Sequence, residues 1–373
     1  MDDYLQLLLA AKARVTEVSP ENLDTEESLI IDVREAHEHA VGLLPNAVTI
    51  PMRDLGTRIG AVASDPTRPI VVYCAVGERS AIAAAMLEDA GYSAVSSLAG
   101  GIKRWMAAGL PTRSDTSLGE ADRRRYARHI VMPTVGTIGQ QRLLDASVMI
   151  VGAGGLGSPV ALYLAAAGVG TIGLVDDDVV ELSNLQRQIL HSTSDKGRPK
   201  TASAADRINA LNPGIKVLAL QTRLTAENAL EILAGYDVIV DGTDNFATRY
   251  LINDASMHLS TPVVHGSVFR FEGQVAVFRP HESACYRCLF PQPPPADLAP
   301  NCAQAGVFGV LPGVIGSMQA TEALKLILKI GDPLVGKLLT YDGLDQSTHV
   351  VRLARDPQCI ACGDPHRLPE LTD

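Results

Sequence analysis

The sequence predicts two consecutive α/β domains, a small one followed by a larger one built on a doubly wound sheet. Three observations carry this. Short apolar runs alternate with segments of helical period, a polar stretch around residues 111–119 separates two such series, and a glycine-rich loop joins a strand to a helix early in the second. The boundaries are expected at 1–112 for the first domain, 113–119 for the linker and 120–373 for the second.

With 373 residues, 46% of them hydrophobic and 20% charged, the chain has material for two or three ordinary cores. Its net charge of −10 argues against nucleic acid or an anionic membrane as partner, because both select a basic footprint. The uncharged stretches 148–175 and 302–321 are cut repeatedly by glycine and proline, unlike a spanning helix. Leu5 to Ala11 is too short, and too soon followed by Lys12, for a secretory signal, so a cytoplasmic protein is expected. The six cysteines then point to thiol chemistry and metal binding rather than disulfides.

In the first domain, Leu29–Val33 and Ile70–Tyr73 are runs suited to buried parallel strands. A helix follows from Ser80 to Ala90 and stops at Gly91. Between strand and helix lies Cys74-Ala75-Val76-Gly77-Glu78-Arg79-Ser80. A loop in that place turns backbone N–H groups inward, and the helix start adds partial positive charge. Such a cradle stabilises a thiolate or persulfide, as sulfur transfer requires. A buried structural cysteine is the alternative; the glycine, the arginine and the strand–loop–helix setting favour a reactive one.

These residues resemble the rhodanese family, as do Ile31-Asp32-Val33-Arg34, Ala47 to Pro51, and Leu98-Ala99-Gly100-Gly101-Ile102 leading to Trp105. Trp105 itself is expected in the core. Leu43-Leu44-Pro45-Asn46 departs from the family's usual His-Ile-Pro-Gly. A phosphatase of the dual-specificity type also uses Cys and Arg, but places one more residue between them than the four here. Cys74 and Arg79 are the catalytic candidates of this domain.

In the second domain, strands are expected at 148–151, 171–175, 236–240 and 262–265, with a helix from Ser158 to Ala167. Gly152-Ala153-Gly154-Gly155-Leu156-Gly157 lies between the first strand and that helix, where glycines let the backbone approach a phosphate. Asp176 ends the next strand, in position to accept from ribose hydroxyls. That much fits an NAD(P)-dependent oxidoreductase equally well. Ser183-Asn184-Leu185-Gln186-Arg187 and Lys200 add the cations and amides that a triphosphate calls for, usually with Mg²⁺. Asp241-Gly242-Thr243-Asp244-Asn245 brings carboxylates to the C-terminal edge of the sheet. Taken singly, Asp177, Asp178 and Asp241 read as solvated loop charges or caps.

From Arg125 to about Gly363 the sequence resembles the MoeB/ThiF family, bacterial relatives of ubiquitin-activating enzymes. The landmarks are Arg125-Tyr126-Ala127-Arg128, the 152–157 loop, Ser183 to Arg187, Gly197-Arg198-Pro199-Lys200 and Thr243-Asp244-Asn245. The resemblance implies that Gly152, Gly154, Gly155, Gly157, Asp176, Ser183, Asn184, Arg187, Lys200, Asp244 and Asn245 hold ATP, with Asp244 near Mg²⁺. It also implies that Arg128 reaches ATP from the partner subunit of a homodimer.

Cys285-Tyr286-Arg287-Cys288 and Cys359-Ile360-Ala361-Cys362 form two C-x-x-C pairs. Each short loop aims two thiolates at one tetrahedral ion, a pattern for structural Zn²⁺ with no open position. Cys302, after the proline-rich stretch 292–300, stands apart. In the family a cysteine here is proposed to bond the carrier's terminal glycine; a spectator thiol is the alternative.

Together the resemblances imply adenylation of the C-terminal glycine of a small ubiquitin-like sulfur carrier of the MoaD/ThiS type, ending in Gly-Gly. Sulfur from a Cys74 persulfide, loaded by a cysteine desulfurase or another persulfide donor, would give a thiocarboxylate. Familiar fused members carry the rhodanese domain last, whereas here it comes first. Molybdopterin, thiamine, tRNA thiolation, cysteine and siderophore synthesis all remain open as pathways. An oxidoreductase, or a thioester-forming activator for protein conjugation, are the alternatives.

Overall fold

The computed structural model describes residues 2–113, 118–293, 306–364 and 368–373. Most of the expected linker and Cys302 lie outside the described residues. The chain divides into two compact units, Met1–Gln141 and Arg142–Asp373.

The first unit contains β1 (Thr16–Val18), β2 (Leu29–Asp32), β3 (Val48–Thr49), β4 (Ile70–Tyr73) and β5 (Val95–Leu98). Among the described residues they form one parallel sheet in the order β1-β5-β4-β2-β3. Every residue of β2 and β4 is buried, which is why these segments read as continuous apolar runs rather than alternating ones. The helix Glu78–Asp89 packs Ala83, Ala84 and Leu87 into the core on one face. Trp105 belongs to the core on the other, as expected, and its indole N–H donates to the Pro111 carbonyl at 2.9 Å.

The second unit contains β6 (Ser147–Val151), β7 (Thr171–Val175), β8 (Lys216–Leu220), β9 (Val238–Asp241), β10 (Val263–Phe269), β11 (Glu272–Phe278), β12 (Lys337–Asp342) and β13 (Thr348–Arg352). Their order is β13-β12-β11-β10-β9-β6-β7-β8. From β10 to β8 the pairing is parallel, and the chain winds outward from β6 in both directions. The switch point of this doubly wound part falls between β6 and β9, where such sheets bind ligands. The sheet continues antiparallel through β11, β12 and β13, an extension that the sequence reading did not foresee. Only Arg270 and Phe271 separate β10 from β11, too short a connection for a parallel crossover, so the hairpin is obligatory. No helix among the described residues is long and apolar enough to cross a membrane.

Candidate functional site

In the first unit, Cys74 follows β4 and is 1% exposed. Its Sγ accepts from the Gly77 N–H at 3.1 Å, and the Ser80 hydroxyl lies 3.5 Å away. Gly77 has φ +93°, which lets the loop turn its amide onto the sulfur before the helix begins. Gly101 closes against the loop so tightly that a Cβ there would stand 2.4 Å from the Cys74 carbonyl oxygen. The thiol is therefore cradled by backbone and hydroxyl donors. Arg79 is not aimed at the sulfur. Both of its terminal nitrogens donate to Glu38, at 2.7 and 2.6 Å. That pairing holds the Glu38 carboxyl below its ordinary range and raises the guanidinium further. Beneath the loop, Asp32 and Arg34 form a fully buried bidentate pair.

In the second unit, a cleft of about 370 Å³ opens at the switch point. Gly152, Gly154 and Gly155 of the 152–157 loop, Asp176 after β7, and Asp244 and Asn245 after β9 line it, with Arg187 and Lys200. Gly157 does not line the cleft. It brings the helix Gly157–Ala167 against the strand, where a Cβ would sit 1.9 Å from the Gly152 carbonyl oxygen. Ala153 is clamped from both sides: its N–H donates to Asp176 Oδ2 at 2.8 Å, and its carbonyl accepts from His191 Nε2 at 2.9 Å. Since the carbonyl can only accept, Nε2 carries the proton and Nδ1 accepts from the Ser203 hydroxyl at 2.9 Å. Burial, partly opposed by Lys200, raises the Asp176 carboxyl.

Lys200 opens the helix Lys200–Leu211 and is buried, its Nζ 2.7 Å from Asp178 Oδ2. Asp178 is the exposed loop charge expected of it, and it also pairs with the buried Lys200. Asp241, expected likewise to be a solvated charge or a cap, is 2% exposed; its carboxylate takes His265 Nδ1 at 2.7 Å and the Thr243 hydroxyl at 2.6 Å. Asn245 caps the helix Phe246–Leu259 by accepting from the Thr248 N–H at 2.9 Å. Ser183 and Asn184 stand on a short 3₁₀ turn, their side chains held by Glu181, and do not line the cleft. Arg128 is exposed on the helix Ala127–Ile130 of the first unit. Four residues at or behind the cleft were not singled out from sequence: His191, Gln188, His265 and Gln319. Gln188 is buried in the cleft wall with its Oε1 unpartnered.

The four C-x-x-C thiols meet as expected, all sulfurs within 4.8 Å of one another. Sγ–Sγ distances of 3.3, 3.6 and 4.0 Å bracket the ~3.8 Å edge of a tetrahedron with Zn–S bonds of about 2.3 Å. The hydrogen bond that Cys285 gives Cys362, together with burial, pushes the Cys285 thiol up, and four thiolates this close would need a cation between them. The donor set fits Zn²⁺ and offers no open position. Arg287, inside the first pair, donates from both Nε and Nη2 to buried Asp254, tying the knuckle to the helix Phe246–Leu259.

A glycine loop at the switch point, with a carboxylate and a buried lysine across the cleft, defines the class as a nucleotide-binding α/β protein, and its four clustered cysteines could hold a metal ion. The ThiF family profile matches residues 126–361, and that of the rhodanese-like domain matches residues 17–108. The chain belongs to the ThiF family and carries a rhodanese-like domain ahead of the ThiF region. It is 54% identical over 255 residues to the sulfur carrier protein adenylyltransferase of Thermus thermophilus, covering 67% of this chain and 94% of that one. It is 51% identical over 237 residues to the probable adenylyltransferase/sulfurtransferase MoeZ of Mycobacterium tuberculosis, covering 62% of this chain and 60% of that protein. The crystal structure of E. coli MccB with ATP matches 66% of this chain and 76% of its own, with a TM-score of 0.57 and 25% identity. Family membership replaces the oxidoreductase alternative.

Proposed function

We propose that this chain uses ATP to adenylate the C-terminal carboxylate of a small ubiquitin-like sulfur carrier, and then converts it to a thiocarboxylate with sulfur held on Cys74. The observation that carries this is the presence, in one chain, of the ATP-sized cleft and the donor-lined Cys74 loop. The names of the Thermus and Mycobacterium relatives support it.

In the first step a carboxylate oxygen attacks the α-phosphorus of ATP. A P–O bond forms to the carrier, the α–β bond breaks, and pyrophosphate leaves. A carboxylate acylates poorly, and the acyl-adenylate supplies AMP as a good leaving group. Lys200 and Arg187 are suited to the phosphate charge, Asp176 to the ribose, and Asp244 to a Mg²⁺ ion that would neutralise the departing pyrophosphate. In the second step the terminal sulfur of a Cys74 persulfide attacks the acyl carbon and AMP leaves. The resulting acyl disulfide is cleaved by a thiol, with Cys302 as our candidate, and an external dithiol restores both cysteines. A cysteine desulfurase, or another persulfide donor, reloads Cys74. We assign residues 1–112 to sulfur handling, 113–119 to the linker and 120–373 to adenylation. We further propose a cytoplasmic homodimer with Arg128 donated across it, and a structural Zn²⁺ on Cys285, Cys288, Cys359 and Cys362.

The test is ATP–pyrophosphate exchange with a Gly-Gly-ended carrier. Exchange should depend on the carrier and vanish when its terminal glycines are removed. Exchange that ignores the carrier would contradict the reading. A lasting Cys302 thioester without thiocarboxylate would instead mark a conjugation activator.

A further inference from the structure

His265 is a polar residue in an apolar place. It lies on β10 opposite Asp241 of β9, is 2% exposed, and its ring sits 5.9 Å from that of Phe278 and 5.1 Å from that of Tyr286. It does not line the nucleotide cleft. An apolar side chain would fill such a position without desolvating an imidazole, so the histidine calls for a reason. The reason on view is Asp241, whose Oδ2 takes the His265 Nδ1–H at 2.7 Å.

The other oxygen of Asp241 shapes the chain that follows. Oδ1 accepts from the Thr243 N–H at 3.0 Å and from the Thr243 hydroxyl at 2.6 Å, folding the strand end into a tight Asx-type turn. That turn seats Gly242 against the phosphate loop, where a Cβ would stand 3.0 Å from the Gly152 carbonyl oxygen. It also delivers Asp244 and Asn245 to the cleft wall. Two further side chains hold the turn from behind. Gln319 Nε2 donates to the Asp241 carbonyl at 2.7 Å, and Arg249 Nη2 to the Thr243 carbonyl at 2.9 Å.

We infer that His265 and Asp241 are a positioning pair for the ATP-facing loop 242–245, setting nucleotide affinity without touching the nucleotide. The inference rests on the reading of the cleft as the ATP site. Without the imidazole donor, Asp241 keeps one buried oxygen unsatisfied, and its carboxylate must rotate or take a proton to relieve it. Either response releases Thr243, and with it Asp244.

The experiment uses full-length protein and compares His265→Leu, which keeps bulk and loses the donor, with His265→Asn, whose amide can donate from nearly the position of Nδ1. Carrier-dependent ATP–pyrophosphate exchange gives KM for ATP, KM for carrier and kcat, and bound metal is counted to confirm an intact second unit. His265→Leu should raise KM for ATP about tenfold, the loss expected of one buried charge-assisted hydrogen bond. KM for carrier should stay within about twofold, and His265→Asn should recover most of the ATP affinity. Thr243→Val cuts the same linkage on the far side of Asp241 and should also raise KM for ATP, which keeps the test decisive if His265→Leu does not fold. A folded His265→Leu protein with unchanged KM for ATP overturns the inference. So does an Asn variant as impaired as Leu, or a loss confined to kcat. If the wild-type protein shows no carrier-dependent exchange, the functional reading fails instead.

Discussion

Lys200 and Asp178 form an ion pair at 2.7 Å in which the lysine is 7% exposed and the aspartate 67%. The two ends of the pair are therefore unequal. The ammonium is already desolvated and fixed beside the cleft, whereas the carboxylate can swing into water when a phosphate competes for it. Lys200→Ala should reduce ATP–pyrophosphate exchange by about 10²-fold or more, the usual loss for a charge aimed at a transferring phosphoryl group. Asp178→Asn should change it by no more than about threefold, because an exposed partner contributes little. Steady-state exchange at saturating carrier measures both.

Gly157 is sterically obligatory in a way that the other loop glycines are not. A Cβ at 1.9 Å from the Gly152 carbonyl oxygen cannot be accommodated by rotating a side chain, since the oxygen belongs to the backbone and the Cβ is fixed by its own. Gly157→Ala should displace the helix Gly157–Ala167 from β6, cost several kcal/mol (about 2–4) of stability and abolish nucleotide binding. At Gly155 the Cβ would meet the Pro312 ring at 3.1 Å, so Gly155→Ala should be milder. Thermal melts with and without ATP distinguish the two.

Metal removal should be felt at the nucleotide cleft as well as in the melt. The knuckle residue Tyr286 donates its N–H to Asn253 and packs its ring on His265, which holds Asp241. Chelation under mild denaturation should release one zinc per chain, lower the midpoint by about 10 °C or more, and raise KM for ATP. Cys359→Ser should reproduce this. An apo protein with an unaltered melt would refute a structural metal.

The Glu38–Arg79 pair predicts an acid limb in the stability of the first unit. Glu38 titrates below its ordinary 4.5 because Arg79 bonds the ionised form. A depressed carboxyl contributes stability that is complete above the unfolded value and disappears as pH falls through the folded one. The denaturation midpoints of wild type and Glu38→Gln should therefore differ by a constant amount between about pH 6 and 8 and converge below about pH 4. The pair is partly exposed, so the difference should shrink with added salt.

What the sequence made legible was contiguous. The glycine loop, the Cys74 loop and each C-x-x-C are single short segments whose chemistry is written in adjacent residues, and the doubly wound class, though not the strand order, followed from alternating runs. What it hid depends on partners brought together by folding. Asp241 read as solvated because His265 lies 24 residues further on, and the pairing of the exposed Asp178 with Lys200, 22 residues on, was hidden in the same way. His191 and Gln319 act on backbone carbonyls from other elements, so neither has a local pattern. Arg79 read as a partner for the sulfur until Glu38, 41 residues earlier, claimed it.

The central claim is that one chain separates activation from sulfur delivery, and Cys74→Ala tests it most directly. Mass spectrometry of a Gly-Gly-ended carrier after incubation with ATP, Mg²⁺ and a persulfide donor should show thiocarboxylate with the wild-type protein. With the variant the thiocarboxylate should be absent, while carrier-dependent pyrophosphate exchange persists at wild-type rate. Thiocarboxylate formed at an undiminished rate without Cys74, or exchange lost in a folded variant, would contradict the account.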